Sequence, residues 1–309
     1  MIAEMNVIRG AEQDAAQRRR LLQRPVFENA GLAESVAGII RRVREGGDGA
    51  LKELTAQLDG CAPETVEVDP GFLRSAPDRV SPDLLDAIED ATGRIHAFHQ
   101  ADKPADGKVE TAPGLVCEVR YQPLSPVGLY IPGGSAPLVS TVMMLAIPAA
   151  LAGCEDIVMC SPPGKNGEIA DEILAAAARC GVTRVFRAGG AQAVAAMAYG
   201  TESVPRCAKI FGPGNSWVTE AKQQVSQDPD GAAIDLPAGP SEVLVIADGT
   251  ADPEFIAWDL MSQSQHRPNS QTILDSDSYV LAAAVIECIH EFAPTSPRAP
   301  NIQPTLAPS

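Results

Sequence analysis

The chain has 309 residues, 45% hydrophobic and 21% charged, enough to bury the core of one large or two ordinary domains. Its 40 acidic residues outnumber 24 basic ones, for a formal charge of -16, and its one basic cluster, Arg18-Arg19-Arg20, is short, so non-specific binding to nucleic acid is not expected. The most apolar stretch, 138–153, is interrupted by Pro148, and the N-terminus lacks the basic and apolar regions of a signal peptide, which makes membrane insertion unexpected and the cytoplasm the expected compartment.

In chain order, the first hundred residues carry helical periodicity. Ala11 to Gln23 is basic and amphipathic, and Val36, Ile39, Ile40 and Val43 recur at helical spacing until Gly46-Gly47. Asp48 is expected to cap a further helix with Leu51, Leu54 and Leu58 on one face, ending at Gly60. Ser81-Pro82 opens another, carrying Leu84, Ile88, Ile95 and Phe98. His96 and His99 lie near its end, where they suit the helix dipole, and they receive no role. From Leu115 the period changes to two, through Cys117, Val119 and Tyr121, which predicts a strand.

Strands are then predicted at 127–131, 156–160, 184–188 and 209–211, alternating with helices at 138–152, 168–180 and 191–199. Such alternation predicts an α/β fold built on a mostly parallel, Rossmann-like sheet with helices on both faces. In such sheets ligands bind beyond the strand C-termini, where this sequence places Pro132-Gly133-Gly134, Gly189-Gly190 and Gly212-Pro213-Gly214-Asn215. Glycine there admits a phosphate next to a helix N-terminus, but it also suits a tight turn, and neither G-x-G-x-x-G nor a P-loop is present. By pattern alone nucleotide binding and plain turn chemistry are equally supported. A helix over 252–265 would put Gln263 and His266 three residues apart on one face, as a partial metal site or as a solvated amide beside a dipole-favoured histidine. The seven cysteines are scattered with no C-x-x-C, and are expected to be mostly buried thiols, Cys117 and Cys154 included.

The strings VGLYIPGGSAPL (127–138), AGCEDIVMCSPP (152–163), GGAQAVAA (189–196), KIFGPGNSWVTEAKQQVS (209–226), DGAAIDLPAGPSEVLVIAD (230–248) and DLMSQSQH (259–266) occur in an order that resembles histidinol dehydrogenase, over about residues 30 to 275. The resemblance implies a cytoplasmic homodimer that uses zinc and NAD to oxidise L-histidinol to L-histidine through the aldehyde. It assigns NAD contacts to Tyr130, Gln192 and Asn215, substrate contacts to Ser241, Gln263 and His266, and zinc ligation to Gln263 and His266.

The family's Glu-His catalytic pair and two further zinc ligands, an Asp and a His, have no counterparts here, so no catalytic residue is assigned; His290-Glu291 has the reverse order. Gln265, Arg267 and Asn269 replace the family's acidic residue, Gly and Asp around the zinc segment. The implied organisation is a first segment over 1–125, an inserted nucleotide-binding-type domain at 126–238, a second, incomplete segment of the first domain at 239–292, and a disordered tail at 293–309. Two other readings are a paralogous dehydrogenase of another small diol and a non-catalytic NAD-binding remnant.

Overall fold

A computed structural model describes the chain except residues 1–4, 6, 22–30, 134–136, 238–241, 266–269, 297, 298, 300, 301 and 303–309. Its contacts form two units, Asn29–Ala238 and Met1–Glu28 with Gly239–Ser309. After a short helix α1 (Ala15–Leu21), the larger unit runs α2 (Leu32–Leu58), α3 (Pro70–Arg74), α4 (Pro82–Ala101), β1 (Gly107–Ala112), β2 (Leu115–Val119), β3 (Val127–Tyr130), α5 (Val139–Ala152), β4 (Ile157–Ser161), α6 (Asp171–Arg179), β5 (Arg184–Arg187), α7 (Gly190–Tyr199), β6 (Lys209–Phe211), α8 (Ser216–Gln227) and β7 (Ala233–Ile234).

Strands β3 to β7 form one sheet in the order β5-β4-β3-β6-β7, and every pairing is parallel. Successive side chains of a strand face opposite ways, and here both faces are covered. Tyr130, Val158, Cys160, Phe186 and Ile210 share a buried cluster with residues of α2, α7 and α8. Their strand neighbours Val127, Leu129, Ile157, Met159 and Val185 pack with α4, α5 and α6. Two-sided burial explains why these strands read as unbroken apolar runs.

Residues before the sheet belong to this unit. Val68 N–H donates to Val185 O (2.9 Å) and Arg187 N–H to Val66 O (2.8 Å), so residues 66–68 line the β5 edge. Arg184 grips the Glu67 carboxylate with two hydrogen bonds of 2.7 Å. Residues 29–125 pack with the sheet. The reason is that α2 lays Val36, Ile40, Val43, Leu51 and Leu54 on the sheet's helical layer.

Gly47, at φ 52° and ψ -138°, is non-helical and divides α2 into two helical stretches at the expected Gly46-Gly47 stop. Three local expectations differ from the structure. Asp48 does not cap its own helix: its carboxylate accepts from Thr201 Oγ1 (2.5 Å), Ser203 N–H (3.3 Å) and the Ser203 hydroxyl. Phe98 is 70% exposed, although Ile88 on the same helix is buried. Cys117 is exposed, because among the described residues β2 pairs, antiparallel, with β1 alone, which the sequence pattern had not suggested, and both strands are exposed along their whole length.

The smaller unit holds a two-stranded parallel sheet of β8 (Glu242–Ala247) and β9 (Gln271–Ser276), with α9 (Pro253–Ser264) and α10 (Tyr279–Phe292). Ile256, Leu260, Met261, Leu281, Val285 and Ile289 form its core. Leu244, Ile246 and Ile273 are exposed, by 56, 76 and 38%. Of the tail expected to be disordered, Ala293 and Ile302 are buried in this core, since an apolar side chain is better placed there than in water; most of its other residues lie outside the described set. No helix among the described residues is long and apolar enough to cross a membrane.

Burial pushes the Asp48 carboxyl up, but the hydrogen bonds from Ser203 and Thr201 outweigh it and hold the group below the usual carboxylate range. A depressed carboxyl contributes stability above its unfolded pKa and loses it as the pH falls through the folded one. Asp48→Ala is therefore expected to cost about 2 kcal/mol at pH 7, measured by urea unfolding, with the gap to the parent closing below about pH 4. An equal gap at pH 7 and pH 3 would contradict this.

Candidate functional site

The chain leaves β3 for β4 and β5 on one side of the sheet, then returns through β6 and β7 on the other. Strands β3 and β6 therefore diverge at their C-terminal ends into turns running in opposite directions, which opens a crevice between them. Tyr130, the last residue of β3, is 3% exposed, and its hydroxyl accepts from Gly190 N–H at 3.1 Å. Burial pushes its phenol up to about 12, against which the Gly190 N–H works in the opposite direction. It is neutral at ordinary pH, and because its oxygen already accepts, its own proton is left to donate.

Gly189 and Gly190 form the turn between β5 and α7. A Cβ on Gly189 would crowd Pro162 and the Asp59 carboxylate, and one on Gly190, at φ +57°, would lie 2.8 Å from Gln192 Oε1. Gln192 itself is 1% exposed. Its Nε2 donates to Asp59 Oδ2 at 3.2 Å, while its Oε1 is buried with no partner. Asp59, the C-cap of α2, thus meets the β5–α7 turn. Burial raises its carboxyl above the usual range, partly offset by donors from Gln192 and Gly189.

On β6 the turn is Gly212-Pro213-Gly214-Asn215. Gly212 has φ +123°, and a Cβ there would overlap the Tyr130 carbonyl oxygen, so the β3 and β6 backbones touch where they part. Asn215 is the N-cap of α8, its Oδ1 accepting from Val218 N–H at 3.1 Å, which leaves its NH2 to donate. The turn is held from behind. Lys222, 3% exposed, donates to Gly212 O (2.9 Å) and to Asp235 Oδ1, while Asp235 Oδ2 accepts from Gly212 N–H (2.9 Å).

Tyr130 and Gln192 are thus linked through the Gly189-Gly190 turn, and Asn215 stands at the end of the neighbouring strand. Ser241 and His266 lie outside the described residues. Gln263, in the last turn of α9, is half-buried, with a buried Nε2 that has no partner. The helix expected over 252–265 runs Pro253–Ser264. Among the described residues no three His, Cys, Asp or Glu side chains converge to hold a metal. Those residues offer one amide donor where a catalytic zinc takes three protein ligands, so they do not by themselves form a zinc site.

A concavity of about 330 Å³ lies elsewhere, lined by Ala37, Ile40, Arg44, Tyr199, Gln224 and Asp228 among others. Three of its polar groups serve one another: Arg44 pairs with Asp228, and also with Asp230, both at 3.0 Å, and Tyr199 donates to Asp228 at 2.9 Å. It belongs to the packing of helices, not to the strand ends.

A family model described as histidinol dehydrogenase matches residues 22–308. The chain belongs to the histidinol dehydrogenase family. It is 52% identical over 294 residues to the histidinol dehydrogenase of Vibrio parahaemolyticus, covering 95% of this chain and 67% of that protein. It is 53% identical over 282 residues to that of Xylella fastidiosa, covering 91% and 65%. The crystal structure of histidinol dehydrogenase from Elizabethkingia anophelis superposes with a TM-score of 0.89 at 40% identity, covering 95% of this chain and 67% of that one. The chain spans about two thirds of the length of these family members.

Two site residues had escaped the sequence reading, though each carries a signal. Asp59 is an acidic residue at a helix C-terminus, the wrong sign for the dipole. Lys222 falls on the face set by Val218, Ala221 and Val225. Lys222→Met leaves Asp235 without its cation and is expected to destabilise the larger unit by about 3 kcal/mol. Urea denaturation measures this, and a loss under 1 kcal/mol would show that the pair does not hold the turn.

Proposed function

We propose that this member of the histidinol dehydrogenase family binds NAD in the crevice between β3 and β6, for the zinc-assisted oxidation of L-histidinol to L-histidine through the aldehyde. The supporting observation is that Tyr130, at the end of β3, touches both the Gly189-Gly190 turn after β5 and the Gly212 turn after β6, with Gln192 and Asn215 beside them. Gly189 and Gly212 let backbone approach a pyrophosphate closely, and the starts of α7 and α8 supply N–H donors and positive potential. Tyr130 and Asn215 each offer a donor, and Gln192 offers an acceptor. NAD, when bound, takes the hydride.

Zinc would be held by Gln263 and His266 with at least one further donor, and with Ser241 they would contact substrate. The protein would act in the cytoplasm as a homodimer, with residues 126–238 as its nucleotide-binding domain. Oxidation also needs a base for the hydroxyl proton and an activated water for the aldehyde step, each worth about 10²- to 10⁴-fold in rate. These 309 residues contain no match to the family's Glu-His pair. NADH formation from L-histidinol with added zinc is therefore expected at less than a tenth of the rate of a full-length family member. Comparable turnover would overturn this and make His290 and Glu291 the first residues to mutate. Faster turnover of another small diol would favour a paralogous dehydrogenase.

Cofactor binding is separable from turnover. Calorimetric titration with millimolar NAD is expected to give measurable heat for the parent and at least a severalfold weaker association for Asn215→Ala, since one donor is lost. Identical heats for the two would remove the cofactor assignment.

A further inference from the structure

The proposed cofactor site uses Gln192 and leaves its partner Asp59 without a role. An ionised carboxylate only accepts hydrogen bonds, whereas a carboxamide has a donating end and an accepting end. Asp59 Oδ2 takes the donating end of Gln192 at 3.2 Å. The accepting end, Oε1, is therefore fixed on the other side, against Gly190, where it is buried with no partner. A side chain with a purely structural role would have both ends satisfied, because native proteins rarely bury an acceptor unpaired. Here one end is tied to a charge that allows no other orientation, and the free end lies against Gly190, in the turn whose N–H meets the Tyr130 hydroxyl.

We propose that Asp59 is a positioning residue, whose carboxylate orients the Gln192 carboxamide so that Oε1 presents an acceptor to an N–H or O–H donor of the bound dinucleotide. This rests on the reading of the crevice as an NAD site. It goes further by assigning Asp59 a role and the ligand atom a hydrogen-bonding polarity. Gln192 must meet a donor; a phosphate oxygen or a ring acceptor at that position is refused. The donors NAD carries are its ribose hydroxyls and its two amino groups, those of the nicotinamide carboxamide and of the adenine.

Asp59→Asn tests this because it preserves shape and removes the charge that sets the direction. An asparagine can satisfy Gln192 from either end, so the amide is no longer held with Oε1 toward Gly190. The expected result in calorimetric titration is about tenfold weaker NAD binding with an unchanged or raised melting temperature, since a partly buried carboxylate has been neutralised. Gln192→Met should weaken binding to a similar degree, and the double variant should be no weaker than Gln192→Met alone, because Asp59 acts only through Gln192. Binding by Asp59→Asn equal to that of the parent, or losses that add in the double variant, would overturn the proposal.

If the parent itself shows no NAD binding, the cofactor reading fails and this inference falls with it, a result distinct from parent binding that is indifferent to Asp59. Adenosine diphosphate ribose separates the donors. An undiminished Asp59 effect assigns the contact to the part it shares with NAD, and an effect confined to NAD assigns it to the nicotinamide carboxamide; either supports the proposal. Should Asp59→Asn not fold, a crystal structure of the parent with NAD decides. A ligand donor within hydrogen-bond distance of Oε1 with Nε2 still on Asp59 supports it, and Nε2 turned to the ligand overturns it.

Discussion

The larger unit depends on the close contact of β3 and β6 at the point where their turns diverge. Gly212 lies on the Tyr130 carbonyl so closely that no side chain fits between them, and a buried lysine and an aspartate clamp the turn from behind. That arrangement sets the crevice width, because a Cβ at Gly212 would push the two strand ends apart. It also accounts for a charged pair in a place that apolar residues could have filled. A buried ion pair is a poor source of net stability, but it is directional, and here it fixes the orientation of the Gly212 peptide.

The sheet itself is built from short strands of three to five residues and, at β7, two. They hold because both faces are dry. The layer of α2, α7 and α8 and the layer of α4, α5 and α6 each contribute a full apolar cluster, so the residues of the two central strands β3 and β4 are buried along their whole length. The β8–β9 pair of the smaller unit contrasts with this. Parallel strands are ordinarily covered on both faces, yet this pair leaves Leu244, Ile246 and Ile273 exposed. A two-stranded sheet open on one side is poorly stabilised by its own contacts. The chain spans only about two thirds of the length of its relatives.

Histidinol dehydrogenase family membership places the chain among oxidoreductases, and the division of residues between the units has a functional consequence. Tyr130, Gln192 and Asn215 sit in the unit with the larger, two-sided core. Gln263, His266 and Ser241 sit in the one with the open sheet. The residues proposed for nucleotide binding and those proposed for metal and substrate binding therefore rest on cores of unequal quality.

The sequence by itself determined the alternation of four apolar runs with helices, hence a parallel α/β sheet. Period, run length and turn glycines are local properties that survive in one dimension. Its strings also carried the family, from which the six proposed site residues are taken. Only the tertiary structure decided which carboxylates matter. Asp59 reads as a poor helix end until the chain brings it 133 positions forward onto Gln192. Asp48 reads as a cap until Thr201 and Ser203 claim it. The exposed hairpin carrying Cys117 was equally out of reach, since alternation in a strand reports a pattern but not whether anything covers the apolar face. Hydrogen-bond partners far apart in sequence leave no periodic trace, so pairing and exposure at the site followed from the fold alone.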